Sequence, residues 1–452
     1  MELRFMSVLL TGMMTVVSCG CDQSVSVDIP ITVVTDASPA AVVPVRTWEQ
    51  KLGSVFTPVP EGKAPQITEL AIPTIPGGHA VWGSTGRDDQ GSLWFGVAVH
   101  GKPSAHLLEY DPATDQFSDR GNVVSQLQQC GIYRESEARM KIHSEFYQAD
   151  DGFLYFASMD ETDEEEDGSR YPTWGGHLWR MNLETHQWEH LLATKEALIA
   201  VAGAGRWIYA LGYFNHVVYQ YDTETEQIRS HAVGSVGGHV SRNFIADARG
   251  HVYVPAVEES LDTVEGPDDD PKLSASLVEL DTELREVNRT PMEHYDATRD
   301  FDSHGIIAFT FLQDQSCVFS THTGFLYQIR PADDDSAAAV EELGYFHPDG
   351  EAYASSLFTF DGRKLLVGQA NKKPKLRHWI VFDLESRSSH LAEGVTGQDC
   401  FDQHKLLLYG THTRDNAGNF YAVGRKQGEA GKDPVILKIS YTNASAVLNE
   451  LP

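Results

Sequence analysis

Four histidines recur in comparable settings: His79 in Gly-Gly-His-Ala, His143 in Lys-Ile-His-Ser, His239 in Gly-Gly-His-Val and His304 in Asp-Ser-His-Gly. Each stands where an extended segment begins, once per repeat. Imidazoles titrate near neutrality, so such a group can shuttle protons, hold a divalent ion such as zinc, or help to neutralise an anion. A second set lies further along the same repeats. His100 follows His79 by 21 residues, and His322 follows His304 by 18. The third repeat has no initial histidine but offers Tyr213, Asn215 and His216. Arg242 comes three residues after His239, Arg170 and Tyr171 sit in a long second-repeat loop, and Asn371, Lys372 and Lys373 occupy a sixth-repeat loop. In a chain of net charge −30, this gathering of His, Tyr, Arg and Lys points to a pocket for an anion.

The same residue types could carry out β-elimination on a uronic acid polymer. The carboxylate must be neutralised so that the C5 proton becomes acidic, a task for Arg, His or a metal. A base then removes that proton and an acid protonates the departing O4, roles that neutral His and Tyr can fill. His79, His100, His143 and Tyr213 are the candidates for proton transfer. Arg242, His239, His304, His322 and Arg170 are the candidates for substrate binding. A divalent ion, zinc or calcium, held by several histidines is equally compatible, because spacing does not separate the roles.

What must position these residues is a repeated strand. HLLEYD (His106–Asp111), HLWRMN (His177–Asn182), VVYQYD (Val217–Asp222), SLVELD (Ser276–Asp281), FLYQIR (Phe325–Arg330), HWIVFD (His378–Asp383) and VILKIS (Val435–Ser440) are versions of one segment. They recur at intervals of about 40 to 70 residues, the period of a four-stranded propeller blade with variable loops. Rich in β-branched and aromatic residues and ending on turn formers, they read as short strands. Seven copies predict an all-β, seven-bladed β-propeller over 66–452. Before the markers come tight turns, such as Asp88–Gly91, Ala149–Gly152, Asp247–Gly250 and Asp415–Gly418. Aromatic residues follow them (Trp94, Tyr155, Tyr253, Tyr421) and are expected to pack the blades. Gln66–Ile72 leading into Pro76-Gly77-Gly78-His79 parallels Gln227–Val233 leading into Val236-Gly237-Gly238-His239. Residues Ile67–Ile72 are therefore expected as the outer strand of the last blade, closing the ring from the N-terminal side. In such a ring the innermost strands start at one face of the axial channel and the second strands return to it. The histidines should therefore meet at one mouth.

Met1–Ser18 has a basic residue, Arg4, then a short apolar run, then Val16-Val17-Ser18-Cys19. This pattern is a signal peptide too short to span a bilayer. The last four residues are similar to the lipobox of bacterial lipoproteins, with Cys19 the lipidated residue; an ordinary secretory cleavage nearby is the alternative. Gly20 in place of Asp favours the outer membrane, so a cell-envelope lipoprotein is expected. Residues 19–65 read as a Val/Pro/Ala/Ser/Thr tether. The net charge argues against nucleic acid, and against docking on an anionic bilayer other than through lipid chains. A monomer is expected. The five cysteines have no metal spacing and no C-x-x-C, and Cys130, Cys317 and Cys400 are expected as buried thiols. The acidic runs Asp160–Asp167 and Glu265–Asp270 lack the spacing of a calcium loop and read as solvated charge.

Secreted seven-bladed propellers with a histidine-rich axial mouth resemble the polysaccharide lyases that cleave ulvan and, more distantly, the oligogalacturonate lyases. The resemblance covers the architecture of most of the mature chain. In motif it covers His79 and His100, which match the family's histidine pair in type and spacing. Tyr213 and Arg242 are the nearest counterparts of its Tyr and Arg, at a separation that differs from the family's. It implies a lyase acting on an acidic polysaccharide. A non-catalytic glycan- or protein-binding propeller, or a metal-dependent hydrolase or lactonase, could be built on the same fold.

Overall fold

Each marker segment forms the third strand of its own sheet, counted from the axis. The computed structural model describes residues 65–441 except 261–271, 300–302, 362, 374–375, 393–394, 396–405, 411 and 429–430. The signal segment, Cys19, Cys21, the tether, the second acidic run and Cys400 lie outside the described residues. Seven antiparallel sheets of four or five strands follow one another along the chain. In the third blade the order from the axis outwards is Leu198–Ala204, Trp207–Gly212, Val217–Asp222 and Ile228–Ala232. The other blades repeat this plan.

Seven apolar clusters, each shared by neighbouring blades, join the sheets into a ring. Trp94 and Leu107 of the first blade meet Phe156 and Trp179 of the second. Tyr253 of the fourth meets Phe319 and Tyr327 of the fifth. The seventh joint brings Tyr421, Val423 and Ile436 of the last blade onto Val81, Phe95 and Leu108 of the first. The N-terminal strand is shorter than its sequence pattern suggests. Gln66–Glu69 pairs antiparallel with Lys432–Ser440, as the outermost strand of the last sheet.

The turns preceding the aromatic residues act as blade staples. In all four, the glycine N–H donates to the carbonyl three residues back, at 3.0–3.1 Å, and glycine holds φ between 83° and 94°. The turn aspartate then accepts from the polar tip of the buried aromatic: Trp94 on Asp88 at 2.9 Å, Tyr155 on Asp151 at 2.6 Å, Tyr253 on Asp247 at 2.7 Å and Tyr421 on Asp415 at 2.8 Å. A large ring can thus be buried with its one polar atom satisfied. One element departs from the repeat: a helix, Val123–Gln129, capped by Asn122, covers the first blade with Val123, Val124 and Leu127. Of the cysteines in the described residues, Cys317 is a buried free thiol, but Cys130, next to the end of this helix, is exposed, contrary to the sequence expectation.

Ile67 is 3% exposed and packs in the cluster between the last two blades. Ile67→Ala is expected to cost about 2–4 kcal/mol and to lower the urea midpoint. The exposed neighbour Gln66→Ala should stay within about 0.5 kcal/mol of the parent.

Candidate functional site at the histidine-rich mouth

The innermost strand of the first blade is broken into Gly78–Ala80 and Thr85–Arg87, both paired with Leu93–Val99. His79 lies in the first half, and Trp82 falls in the break. The His100 N–H donates to the Gly77 carbonyl at 2.7 Å, fixing the corner where the second strand returns. Gly77 has φ +78°, and a Cβ there would meet the His100 carbonyl oxygen at 2.8 Å. This corner holds the His79 and His100 rings with centroids 5.9 Å apart, edge to face. The fifth blade repeats the arrangement: His304 and His322 are also 5.9 Å apart, and Tyr353 packs on His322.

Arg242 ties the two sides of the mouth together. Its backbone N–H donates to the His304 carbonyl at 3.0 Å. Its guanidinium reaches His143 Nε2 at 3.2 Å and His304 Nε2 at 3.4 Å. Because guanidinium can only donate, both Nε2 atoms must carry lone pairs. His143 Nδ1 correspondingly lies 3.1 Å from the Ile199 carbonyl and carries the proton. The space bounded by Trp82, His143, Arg242, Asn243 and Ile307 is about 10 Å³, no more than one water.

Above it, cations gather round one indole. Arg425 lies 4.7 Å, Lys141 4.9 Å and Arg242 5.9 Å from the Trp82 ring, and Tyr409 packs against the same ring, tilted by 43°, with centroids 4.6 Å apart. His79 is 5.9 Å from it. Burial pushes the His79 pKa down, and Lys141, His100 and Arg425 push it further, to about 4. Burial and then Arg242 hold His143 and His304 well below the usual range. His79, His143 and His304 are therefore neutral bases among fixed cations. Lys141 is ion-paired with Glu161 of the acidic run. Glu164 of that run accepts from Tyr213, and burial raises its pKa to about 8. The first acidic run is thus partly folded onto the mouth and not simply solvated.

The structure corrects several sequence assignments. His239 is fully buried, with Nδ1 2.7 Å from Ser235 Oγ and Nε2 2.8 Å from Tyr295 Oη, so it packs and is not available to a substrate. It stands apart from the other three histidines because the fourth innermost strand starts late, at Ile245–Ala246. Tyr213 is 1% exposed, and its hydroxyl is engaged by Glu164, which removes it as an acid catalyst. The following turn holds Phe214, Asn215 and His216 at φ of 57°, 63° and 44°. It is braced by buried His216 bonded to the Pro255 carbonyl and the Ser241 N–H. Arg170 pairs with Glu165 on an exposed loop, and none of its described contacts reaches the histidines. The mouth does bring together His79, His100, His143, Arg242, His304 and His322. It adds Trp82, Lys141, Tyr409 and Arg425, which the sequence reading passed over. Arg425 was accessible to the same logic that found His100, since it too lies near the mouth end of a second strand, Phe420–Gln427.

The histidines do not fit a metal. Among the described residues no group of three or more His, Cys, Asp or Glu side chains is placed to hold a metal ion. The Nε2 lone pairs of His143 and His304 are taken by Arg242, whose charge would repel a cation.

No family model matches the chain, and no curated protein matches it. Solved structures similar to it include Kuenenia stuttgartiensis hydrazine synthase, with 13% identity over 70% of this chain and 79% of that one and a TM-score of 0.40. Another is the β-propeller domain of the Trilobed protease from Pyrococcus furiosus, with 9% identity over 79% and 94% and a TM-score of 0.41. A third is the extracellular domain of a hybrid two-component system from B. thetaiotaomicron, with 14% identity over 80% and 40% and a TM-score of 0.44. At such identities and scores the likeness is one of overall form and says nothing of activity.

Burial of neutral histidines sets a pH dependence. His79, His190 and His216 are each lowered from 6.5 to about 4, chiefly by burial. A group whose pKa is depressed on folding favours the folded state in its neutral form. Their contribution is therefore complete above pH 6.5 and is lost as pH falls from 6.5 towards about 4. For fully buried His216 the loss is about 1.4 kcal/mol per pH unit in that window. Melting temperature followed by circular dichroism should fall through this range. His216→Gln should flatten the fall.

Proposed function

We propose that the histidine-rich mouth binds the carboxylate of an acidic saccharide and cleaves the chain by β-elimination, in a protein held at the cell envelope through Cys19. The observation that carries this reading is the gathering of Lys141, Arg242 and Arg425 round Trp82, next to His79 and His100, in a chain otherwise strongly acidic. Lys141 and Arg425 would hold a uronate carboxylate and spread the charge that develops when C5 loses its proton. Neutral His79 would take that proton and His100 would deliver one to O4. The C5–H and C4–O4 bonds break, the C4–C5 double bond forms, and the proton count balances. With a pKa of about 4, His79 alone is a weak base. A bound carboxylate would offset Lys141 and Arg425 and lift it towards the range where bases work best.

A non-catalytic glycan-binding propeller is the second reading, favoured by the narrowness of the space beside Arg242, about 10 Å³. The two separate on one assay, the ultraviolet absorbance of unsaturated uronyl ends, run against ulvan, pectin, alginate and glycosaminoglycans. The lyase reading expects a rise on one of these substrates. His79→Ala should lower kcat by about 100-fold or more, and Arg425→Ala should act mainly on KM. Saturable binding of a uronate polymer with no absorbance rise would sink the lyase and leave the binding module.

A further inference from the structure

A second cavity lies on the axis at the end opposite the histidine-rich mouth. There the innermost strands finish round a cavity of about 150 Å³ to which all seven blades contribute. It exists because small residues stand where neighbouring blades could have filled it, among them Ala202, Gly203 and Ala246. A Cβ on Gly203 would come within 2.2 Å of the Tyr147 ring, so the chain cannot simply close the space there. A cavity of this size accommodates a benzene-sized molecule.

Its walls combine aromatic faces with cationic side chains. Phe309 packs on His412 with centroids 4.6 Å apart, and Phe311 lies at 6.5 Å. His412 is 3.3 Å from Glu145 Oε1. Burial works to lower its pKa, but the Glu145 carboxylate overcomes this and holds it above 6.5. That pair is internally neutralised. Arg87 and Arg414 supply two further guanidinium groups, bonded respectively to Asn416 Oδ1 at 2.9 Å and to the Thr359 carbonyl at 3.1 Å. The nearby Asp415 carboxylate is engaged with Asn419 and Tyr421 of its own turn. Apolar walls with a few convergent charged donors are the usual make-up of a small-molecule site. Guanidinium is the donor best matched to a carboxylate.

We propose that this cavity is a second ligand site, separate from the histidine-rich mouth, and that it takes a small carboxylate with a flat apolar body, of about the size of benzoate. The ring would lie against Phe309 and Phe311 and the carboxylate would face Arg414 and Arg87.

The test is calorimetric titration of the full chain with sodium benzoate, with acetate and benzyl alcohol as fragments lacking the ring or the charge. Benzoate is expected to bind saturably, and each fragment to bind at least about tenfold more weakly. Ala202→Phe, which fills the cavity, should abolish benzoate binding, and Arg414→Met should weaken it by about tenfold. Arg425→Ala, at the other mouth, should leave it unchanged. A melting curve on each variant shows that it is folded; should Arg414→Met fail to fold, Ala202→Phe and Arg87→Met decide. No benzoate binding at millimolar concentration, or unchanged binding in Ala202→Phe, overturns the proposal. Loss in Arg425→Ala with retention in Ala202→Phe would place the ligand at the histidines and overturns it equally.

Discussion

Tyr421, Val423 and Ile436 of the last blade, packed against Val81, Phe95 and Leu108 of the first, turn seven similar sheets into a ring. The histidine-rich mouth is built on that joint. The Val81 N–H donates to the Gly424 carbonyl at 3.0 Å, across the seam. Trp82 is the next residue on one side and Arg425 the next on the other, so the seam itself brings the indole and the guanidinium to 4.7 Å. Lys141 arrives from the second blade and Arg242 from the fourth. An unclosed array of blades could keep its sheets and still have no such cluster.

Arg242 then sets the chemistry of what the seam assembles. Held between two imidazoles, it forces both to present lone pairs, and burial reinforces the effect. The mouth therefore combines permanent positive charge with proton-accepting rings, two properties that isolated histidines cannot offer together at neutral pH. Asn243, the next residue, donates to the Ile307 carbonyl at 2.8 Å, and both line the small space beside Arg242. The two ends of one channel consequently differ. The histidine end is cationic, with a space of only about 10 Å³ beside Arg242; the other is lined by Phe309, Phe311 and His412 round a cavity of about 150 Å³.

How much of this was legible in the chain follows from what repeats. The third strands were readable because Leu107, Leu178, Val218, Leu277, Leu326, Trp379 and Ile436 occupy the second place in seven copies of one segment, each buried in an inter-blade cluster. The His79–His100 and His304–His322 pairs were readable because strand direction alone returns the second strand to the start of the first. His239 was misplaced because Gly-Gly-His marks a turn into a blade but does not say how far beyond it the innermost strand begins. Tyr213 was misread because its partner, Glu164, is 49 residues away in an acidic run that looked fully solvated. Trp82 and Lys141 carried no repeat signal at all; only the closed ring puts them beside Arg425.

The central claim is that neutral imidazoles stand among fixed cations at this mouth, ready for a carboxylate. Ring-nitrogen NMR shifts of His79, His143 and His304, followed from pH 7 to about 5 with and without a uronate oligomer, address it most directly. The account predicts that all three rings stay neutral across that range in the free protein, and that the oligomer raises the pKa of His79. Protonation of His79 and His143 close to pH 6.5 in the free protein, with no response to the oligomer, would contradict it.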